Sequence, residues 1–399
     1  MTERWVASWT AAPQWTEPGD LPPAPFTRFA DSTLRQSIRV SAGGSRMRLR
    51  LSNAFGDTDL LVTSVSIGRP ACGRAGISAV EAGSLVAVTF GGRPSVRIRA
   101  GGLAVSDPLD YELAAGATLT VTVYLAAGQP AGCITSHPGS RTTSYLLAGQ
   151  HVSDSDLAGA VTVEHWYFIS GLDVWADAAA AITLGDSLTD GRGSTTNGND
   201  RWPDQLSARL QSGPGTAGMA IVNQALGGNR VLRDGIGPSV LSRLSRDVLE
   251  VSGASWLILF AGVNDIGTAD ATPAAQRQTT AELIAAYDSI TEAAHGRGIR
   301  VCGATLTPFG GNAGYDDRHG YREAARQQVN EWVRTSRRFD AIVDFDRAVR
   351  DPRHPRQLSA PADCGDHLHL SPHGYRTLAM AVPASLFRQS CRARKEPDS

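Results

Sequence analysis

The sequence predicts two textures in one chain: an all-β sandwich of jelly-roll type over residues 1–176, then an α/β part over 177–399 built on a parallel sheet. Three observations carry this. Apolar residues alternate with polar ones in the first part, continuous apolar runs alternate with helical patterns in the second, and the change falls near Asp177. Period-two alternation marks strands with one buried face. Strands separated by helices of about ten residues or more imply a parallel sheet covered on both faces.

In the first part the pattern begins with Ile38 and Val40. It continues through Met47, Leu49 and Leu51 (set between arginines), Val65 and Ile67, Val96 and Ile98, and Leu119, Val121, Val123 and Leu125. Turn signals stand between these stretches: Gly43-Gly44, Gly91-Gly92 with Pro94, Gly101-Gly102, and Gly128 with Pro130. Many short strands at such spacing suggest a sandwich or jelly roll. Trp166, Tyr167, Phe168 and Trp175 read as sheet core or as an interface with the second part, with a sugar-binding platform as the alternative. His137 reads as a surface histidine, the alternative being a place facing a site on the second part.

From Ala178 the texture changes to AAAAITLGDS, a small and apolar run ending in a Gly-Asp turn, as expected of a strand buried on both faces. Four further runs follow at 220–226, 255–262, 299–308 and 341–345, with helices expected over 202–210, 240–249, 273–295, 321–336 and 374–388. No internal repeat is visible. No flexible linker stands near Asp177, so the two parts are expected to pack closely.

At 399 residues the chain exceeds one ordinary core. Apolar residues make up 42% and charged residues 19%, the range of a globular protein. A formal net charge of −1, spread along the chain, gives no reason to expect nucleic acid or an anionic membrane as partner. No apolar run reaches the roughly 18 residues of a membrane span. The start, MTERWVASWTAAPQW, lacks a basic segment followed by an apolar one, so a cytoplasmic protein is expected unless a leader preceded this numbering. The five cysteines, Cys72, Cys133, Cys302, Cys364 and Cys391, show no metal-site spacing and no disulfide scaffold, and Cys72 with Cys133 is the one pairing worth testing. Arg392, Arg394 and Lys395 read as a solvated tail. No cofactor or metal is implied, and no feature sets an oligomeric state.

In an open parallel sheet, ligands bind beyond the carboxyl ends of the strands. Four polar blocks stand there or near the end of the chain: GDSLTDG at 185–191, NQALGGNR at 223–230, GVND at 262–265 and DHLHLSPHGY at 366–375. Ester cleavage needs a hydroxyl nucleophile, a base to take its proton, a group to orient the base, and donors aimed at the developing oxyanion. Ser187 supplies the hydroxyl and an N–H, His369 the base, and Asp366, three residues earlier, the orienter. Gly228 offers an N–H at close backbone approach and Asn264 a side-chain amide.

Together these blocks resemble the SGNH/GDSL hydrolases: GDS with Ser187, a glycine in the second block, GxND with Asn264, and DxxH with Asp366 and His369, in the family's order over residues 180–385. The resemblance implies a flavodoxin-like three-layer α/β/α fold, a serine esterase mechanism, and an oxyanion hole from the Ser187 and Gly228 amides and the Asn264 side chain. The longer string GDSLTDGRGSTTNGNDRWP looks like a bacterial branch that includes xylan and carbohydrate acetyl esterases, whose members often carry an N-terminal β-domain. The expected partner is thus a small-molecule or carbohydrate ester with a short acyl group.

Other readings remain open at this point. The same triad serves acyl transfer. Ser187 alone would read as a helix cap. Gly227 stands beside Gly228, and His367 and His373 beside His369. Asp186 and Asp190 read first as turn and cap residues, with Asp186 also a candidate substrate contact. Trp202 either packs in the core or lines the pocket. A metallophosphoesterase could use Asp186 and Asp190 with His367 and His369, yet the upstream Asp-x-His and the Asn-His of that class are missing. A carbohydrate-binding protein with a degenerate hydrolase fold would not need this constellation intact.

Overall fold

A computed structural model describes residues 3–129 and 132–388 of the chain. Pro130, Cys391 and the basic tail at Arg392, Arg394 and Lys395 lie outside the described residues.

The N-terminal part is built from antiparallel strands. One sheet has the order Arg4–Thr10, Ile169–Ala176, Gly44–Ser52, Leu109–Leu113, with Leu103–Val105 also paired to Gly44–Ser52. A six-stranded sheet runs Val161–Val163, Ser144–Ala148, Ser32–Arg39, Thr118–Leu125, Ser64–Gly68, Val86–Val88. The alternating residues Met47, Leu49, Leu51, Val65, Ile67, Leu119, Val121, Val123 and Leu125 are buried in these strands, as their spacing requires. The intervening polar residues depart from the expectation of a wet outer face. Thr33, Arg35, Thr120 and Thr122 are buried as well. Loops roof that face: Arg35 donates to Ser78 O (2.6 Å), Asp154 O (2.7 Å) and Thr122 Oγ1 (2.9 Å). The aromatic stretch falls mostly inside, with Trp166, Tyr167 and Phe168 in the core.

The second part holds five parallel strands in the order Met219–Asn223, Ala179–Gly185, Ala254–Phe260, Arg300–Ala304, Ala341–Val343. All five expected runs form strands. Small residues Ala180 and Ala181 and the apolar Ile182 and Leu184 bury Ala179–Gly185 completely. The chain leaves this strand for the sheet edge on one side and returns to the other, which makes its carboxyl end a topological switch point. Helices form at Trp202–Gln211, Pro273–His295 and Tyr321–Thr335, close to their expected spans. Two expectations need correction. The helix expected over 240–249 is α-helical only over Val240–Leu244 and widens to a π-turn over Ser245–Leu249. The last helix is Pro372–Ala381, started by the Ser371 cap and stopped ahead of Pro383, with a 3-10 turn at Ala384–Phe387. No helix among the described residues is long and apolar enough to cross a membrane. Among the described residues Cys72, Cys133, Cys302 and Cys364 are unpaired thiols, so the pairing of Cys72 with Cys133 is absent.

The two parts share one apolar cluster that runs from Val6 to Phe387. Backbone and side chains also cross between them. Ala7 N donates to Ser252 O (2.9 Å), Thr10 Oγ1 to Asn223 O (2.9 Å) and Ile221 N to Ser41 Oγ (3.1 Å), so the exposed edge of the parallel sheet is covered by the first part. Expression of residues 178–399 alone should therefore yield a poorly soluble fragment, or one with a markedly lower thermal midpoint than the whole chain. An equal midpoint would show that this interface contributes nothing.

Candidate active site

The sheet order brings three of the four blocks together. Ser187 follows the strand Ala179–Gly185, second in the sheet, and its two neighbours lead to Gly228 and Asn264. Gly185 must be a glycine here, because a Cβ would lie 2.6 Å from Phe260 O and 2.4 Å from Thr189 Oγ1. The chain then turns into the short helix Ser187–Asp190, capped by Asp186 Oδ1 accepting from Leu188 N (3.0 Å). As the first residue of that helix, Ser187 has an N–H without an intrahelical acceptor.

Ser187 Oγ lies 2.8 Å from His369 Nε2, and His369 Nδ1 lies 2.6 Å from Asp366 Oδ2. With its proton on Nδ1, the ring donates to Asp366 and accepts from Ser187. Asp366 is itself fixed, since Oδ1 accepts from Leu368 N (3.0 Å) and His369 N (2.8 Å). Burial alone would raise the Asp366 pKa. The His369 amide and ring, with the Leu368 amide, outweigh it and hold the carboxyl well below its usual range. Burial is also the largest influence on His369 and lowers its pKa. Asp366 opposes that effect, while Arg192 and Arg141 reinforce it.

The donor side is equally specified. Gly228 has φ of 68°, and a Cβ there would meet Ile236 Cδ1 at 2.9 Å. Asn264 is buried, its Nδ2 donates to Asn229 O (2.8 Å), and its Oδ1 accepts from Tyr315 Oη (2.5 Å). One Nδ2–H is left over, since the amide carries two donors. The Asp265 carboxylate accepts from Val231 N (2.8 Å) and Leu232 N (3.0 Å), which pins the loop after Gly228 to the GVND turn.

Behind these groups sits a buried arginine. Arg243 donates to Gly185 O (3.2 Å), Gln224 O (2.5 Å), Asn229 Oδ1 (2.9 and 3.1 Å) and Asp247 Oδ2 (3.0 Å). It thereby joins the residues preceding Ser187 to the loop that carries Gly228.

Ser187, Gly228, Asn264 and His369 line one cleft of about 420 Å³. Its opposite wall comes from the N-terminal part, through Gln14, Asp20, Arg141 and His165. His137 is buried rather than on the surface. Its Nδ1 donates to Ala12 O and its Nε2 meets Asp190 Oδ1, both at 2.9 Å, which ties the helix of Ser187 to the first part. Two candidate substrate contacts are corrected. Trp202 is fully buried, with its ring 5.4 Å from Phe345 and its Nε1 donating to Thr189 Oγ1 (3.2 Å). Asp186 is buried under the turn it caps, and burial pushes its pKa up to about 7, against the Leu188 amide and with help from Asp265 and Asp190. Neither lines the cleft. His367 pairs with Asp363 (2.7 Å) and His373 is exposed, so neither takes the place of His369.

Residues 183–377 match the GDSL-like lipase/acylhydrolase family. This part of the chain is a GDSL-type esterase domain. Solved structures similar to it include a variant of the acetyl xylan esterase Axe2 from Geobacillus stearothermophilus (20% identity, 54% of this chain and 99% of that one, TM-score 0.40). Another is a GDSL-like lipase from Bacteroides thetaiotaomicron (14% identity, 51% and 85%, TM-score 0.36). Comparison with curated proteins gives no match.

Within the GDSL domain the balance of burial and charge at His369 is measurable. Nuclear magnetic resonance titration of its ring should give a midpoint below the ordinary imidazole value of about 6.5. A midpoint above that value would mean that Asp366 outweighs burial and the two arginines.

Proposed function

We propose that this esterase works through an acyl-enzyme on Ser187, with His369 as general base and acid and Asp366 as its orienter. The observation that carries the reading is the unbroken line Ser187 Oγ to His369 Nε2 (2.8 Å) and His369 Nδ1 to Asp366 Oδ2 (2.6 Å). Ser187 Oγ attacks the ester carbonyl as its proton passes to Nε2. The resulting oxyanion meets the Ser187 and Gly228 amides and the free Nδ2–H of Asn264, donors that need no reorganisation. His369 then gives the proton to the departing alcohol oxygen, leaving the acyl group on Ser187. Water attacks that ester with His369 again as base, releasing the acid and restoring the serine. The lowered pKa of His369 suits this cycle, because its neutral form is the one that accepts the serine proton.

We read residues 1–176 as a β-sandwich accessory domain and 177–399 as the hydrolase domain with flavodoxin-like layering, whose strand order has that pattern. The substrate class is a short acyl ester of a carbohydrate or another small alcohol, in keeping with an open cleft built from loops and with the family resemblance. Asp186 and Asp190 are already engaged, as a buried cap and as the partner of His137, which argues against their use as phosphoesterase ligands.

Ser187→Ala should lower kcat on phenyl acetate by several orders of magnitude while leaving the circular dichroism spectrum and thermal midpoint unchanged, because members of a triad act as a unit. Wild-type activity should survive EDTA. Normal turnover by folded S187A would refute the acyl-enzyme, and loss of activity to chelator with rescue by a divalent cation would favour the phosphoesterase.

A further inference from the structure

Chemistry fixes which side of the cleft receives which half of the ester. The group that protonates the leaving alcohol must lie against it, so the alcohol departs on the His369 side. The acyl carbonyl points the other way, toward Gly228 and Asn264. Whatever surrounds His369 therefore surrounds the alcohol.

Two guanidinium groups stand there. Arg141 and Arg192 both line the cleft, and both act electrostatically on the His369 ring. Among the described residues neither guanidinium has a hydrogen bond or ion pair, and Arg141 Nε is buried without any acceptor. Burying such a donor unsatisfied is costly. Two carboxylates also line the cleft, but Asp190 is taken by His137 (2.9 Å) and Asp20 stands 3.8 Å from His165. Neither carboxylate is paired with either arginine.

The backbone holds both arginines in place. Arg141 has φ of 51°, a conformation that costs a non-glycine residue free energy and that gathers at functional sites. Asn197 clamps that strained segment: its N donates to Arg141 O (2.8 Å), its Oδ1 accepts from Thr143 N (2.8 Å) and its Nδ2 donates to Thr143 Oγ1 (2.9 Å). Arg192 is tied to the nucleophile itself, its N donating to Ser187 O (3.0 Å) and its O accepting from Tyr375 Oη (2.6 Å). One arginine comes from each part of the chain, so the pair exists only in the assembled molecule.

We propose that Arg141 and Arg192 form a binding site for an anionic group carried on the alcohol half of the ester, so that the enzyme prefers esters of acidic alcohols such as hydroxy acids or uronic acid sugars. This rests on the triad reading above. A carboxylate or a sulfonate offers the oxygen acceptors that a guanidinium fork binds. The strained Arg141 and its orphaned Nε are then explained by substrate binding rather than by folding.

The test compares three acetyl esters of one shape: 4-acetoxybenzoate, 4-acetoxybenzenesulfonate and the neutral 4-acetoxybenzamide. The whole enzyme should show kcat/KM about 10- to 100-fold higher for at least one anionic ester than for the amide, the range of one charge-assisted contact, mainly through KM. Arg192→Ala and Arg141→Ala should each reduce that ratio, the double variant should bring it near unity, and Arg141→Lys should keep part of it. The ratio is the readout because a general disturbance of the triad would lower all three rates together. Arg192 is exposed, so its variant decides the matter if R141A does not fold. High salt should shrink the ratio as well. A wild-type ratio at or below unity for both anions, or one unchanged in R192A and in the double variant, overturns the proposal while leaving the esterase intact. Failure to cleave any of the three, including the amide, overturns the esterase mechanism and this proposal together.

Discussion

The guanidinium of Arg243 is the constraint on which the site depends. The carboxyl ends of parallel strands leave carbonyl oxygens pointing toward the cleft floor, and at Gly185 and Gln224 these are buried away from water. A buried carbonyl without a donor is costly. Arginine supplies five N–H groups in a rigid fork, and here the fork satisfies Gln224 O, shares Gly185 O with Leu226 N, and also reaches the Asn229 side chain and the Asp247 carboxylate. Asn229 O in turn accepts from Asn264 Nδ2. One side chain thus links the segments that carry Ser187, Gly228 and Asn264, the three proposed sources of oxyanion donors. Breaking such a buried charged pair typically costs about 3–5 kcal/mol, a large share of the stability of most domains.

A second constraint comes from the N-terminal part. It covers the edge strand Met219–Asn223, and it sends His137 to the helix that begins at Ser187 and Arg141 to the cleft that His369 lines. The cleft accordingly has one wall from each part. The first part reacts with nothing in the proposed cycle, yet it defines the surface on which the alcohol half of a substrate would rest. A GDSL-type domain with this addition is expected to differ from a bare one in selectivity more than in chemistry.

Much of this was legible in the sequence because it is written locally. Each parallel strand is a short apolar run closed by a turn, and the blocks with Ser187, Gly228 and Asn264 each follow such a run within a few residues. Asp366 and His369 stand three apart, a spacing at which a single turn brings carboxylate and ring together. What could not be read is long-range. His137 and Asp190 are 53 positions apart, and Tyr315 and Asn264 are 51 apart, with no local pattern to join them. Arg35 looks like an outward residue of an alternating strand, and only the loops at Ser78 and Asp154 make it internal. Trp202 and Asp186 were ambiguous because proximity in sequence to the nucleophile does not distinguish the cleft from the packing beneath it. Arg243 gave no signal at all, since an arginine in an amphipathic helix ordinarily faces water.

The central claim is that Ser187 is the one activated hydroxyl of this protein. Treatment with a fluorophosphonate followed by peptide mass spectrometry tests it without any assumption about the natural substrate. A single adduct on Ser187, absent when His369 is replaced by alanine, is the result this account predicts. Labelling at another serine, or labelling of Ser187 that persists undiminished without His369, would contradict it.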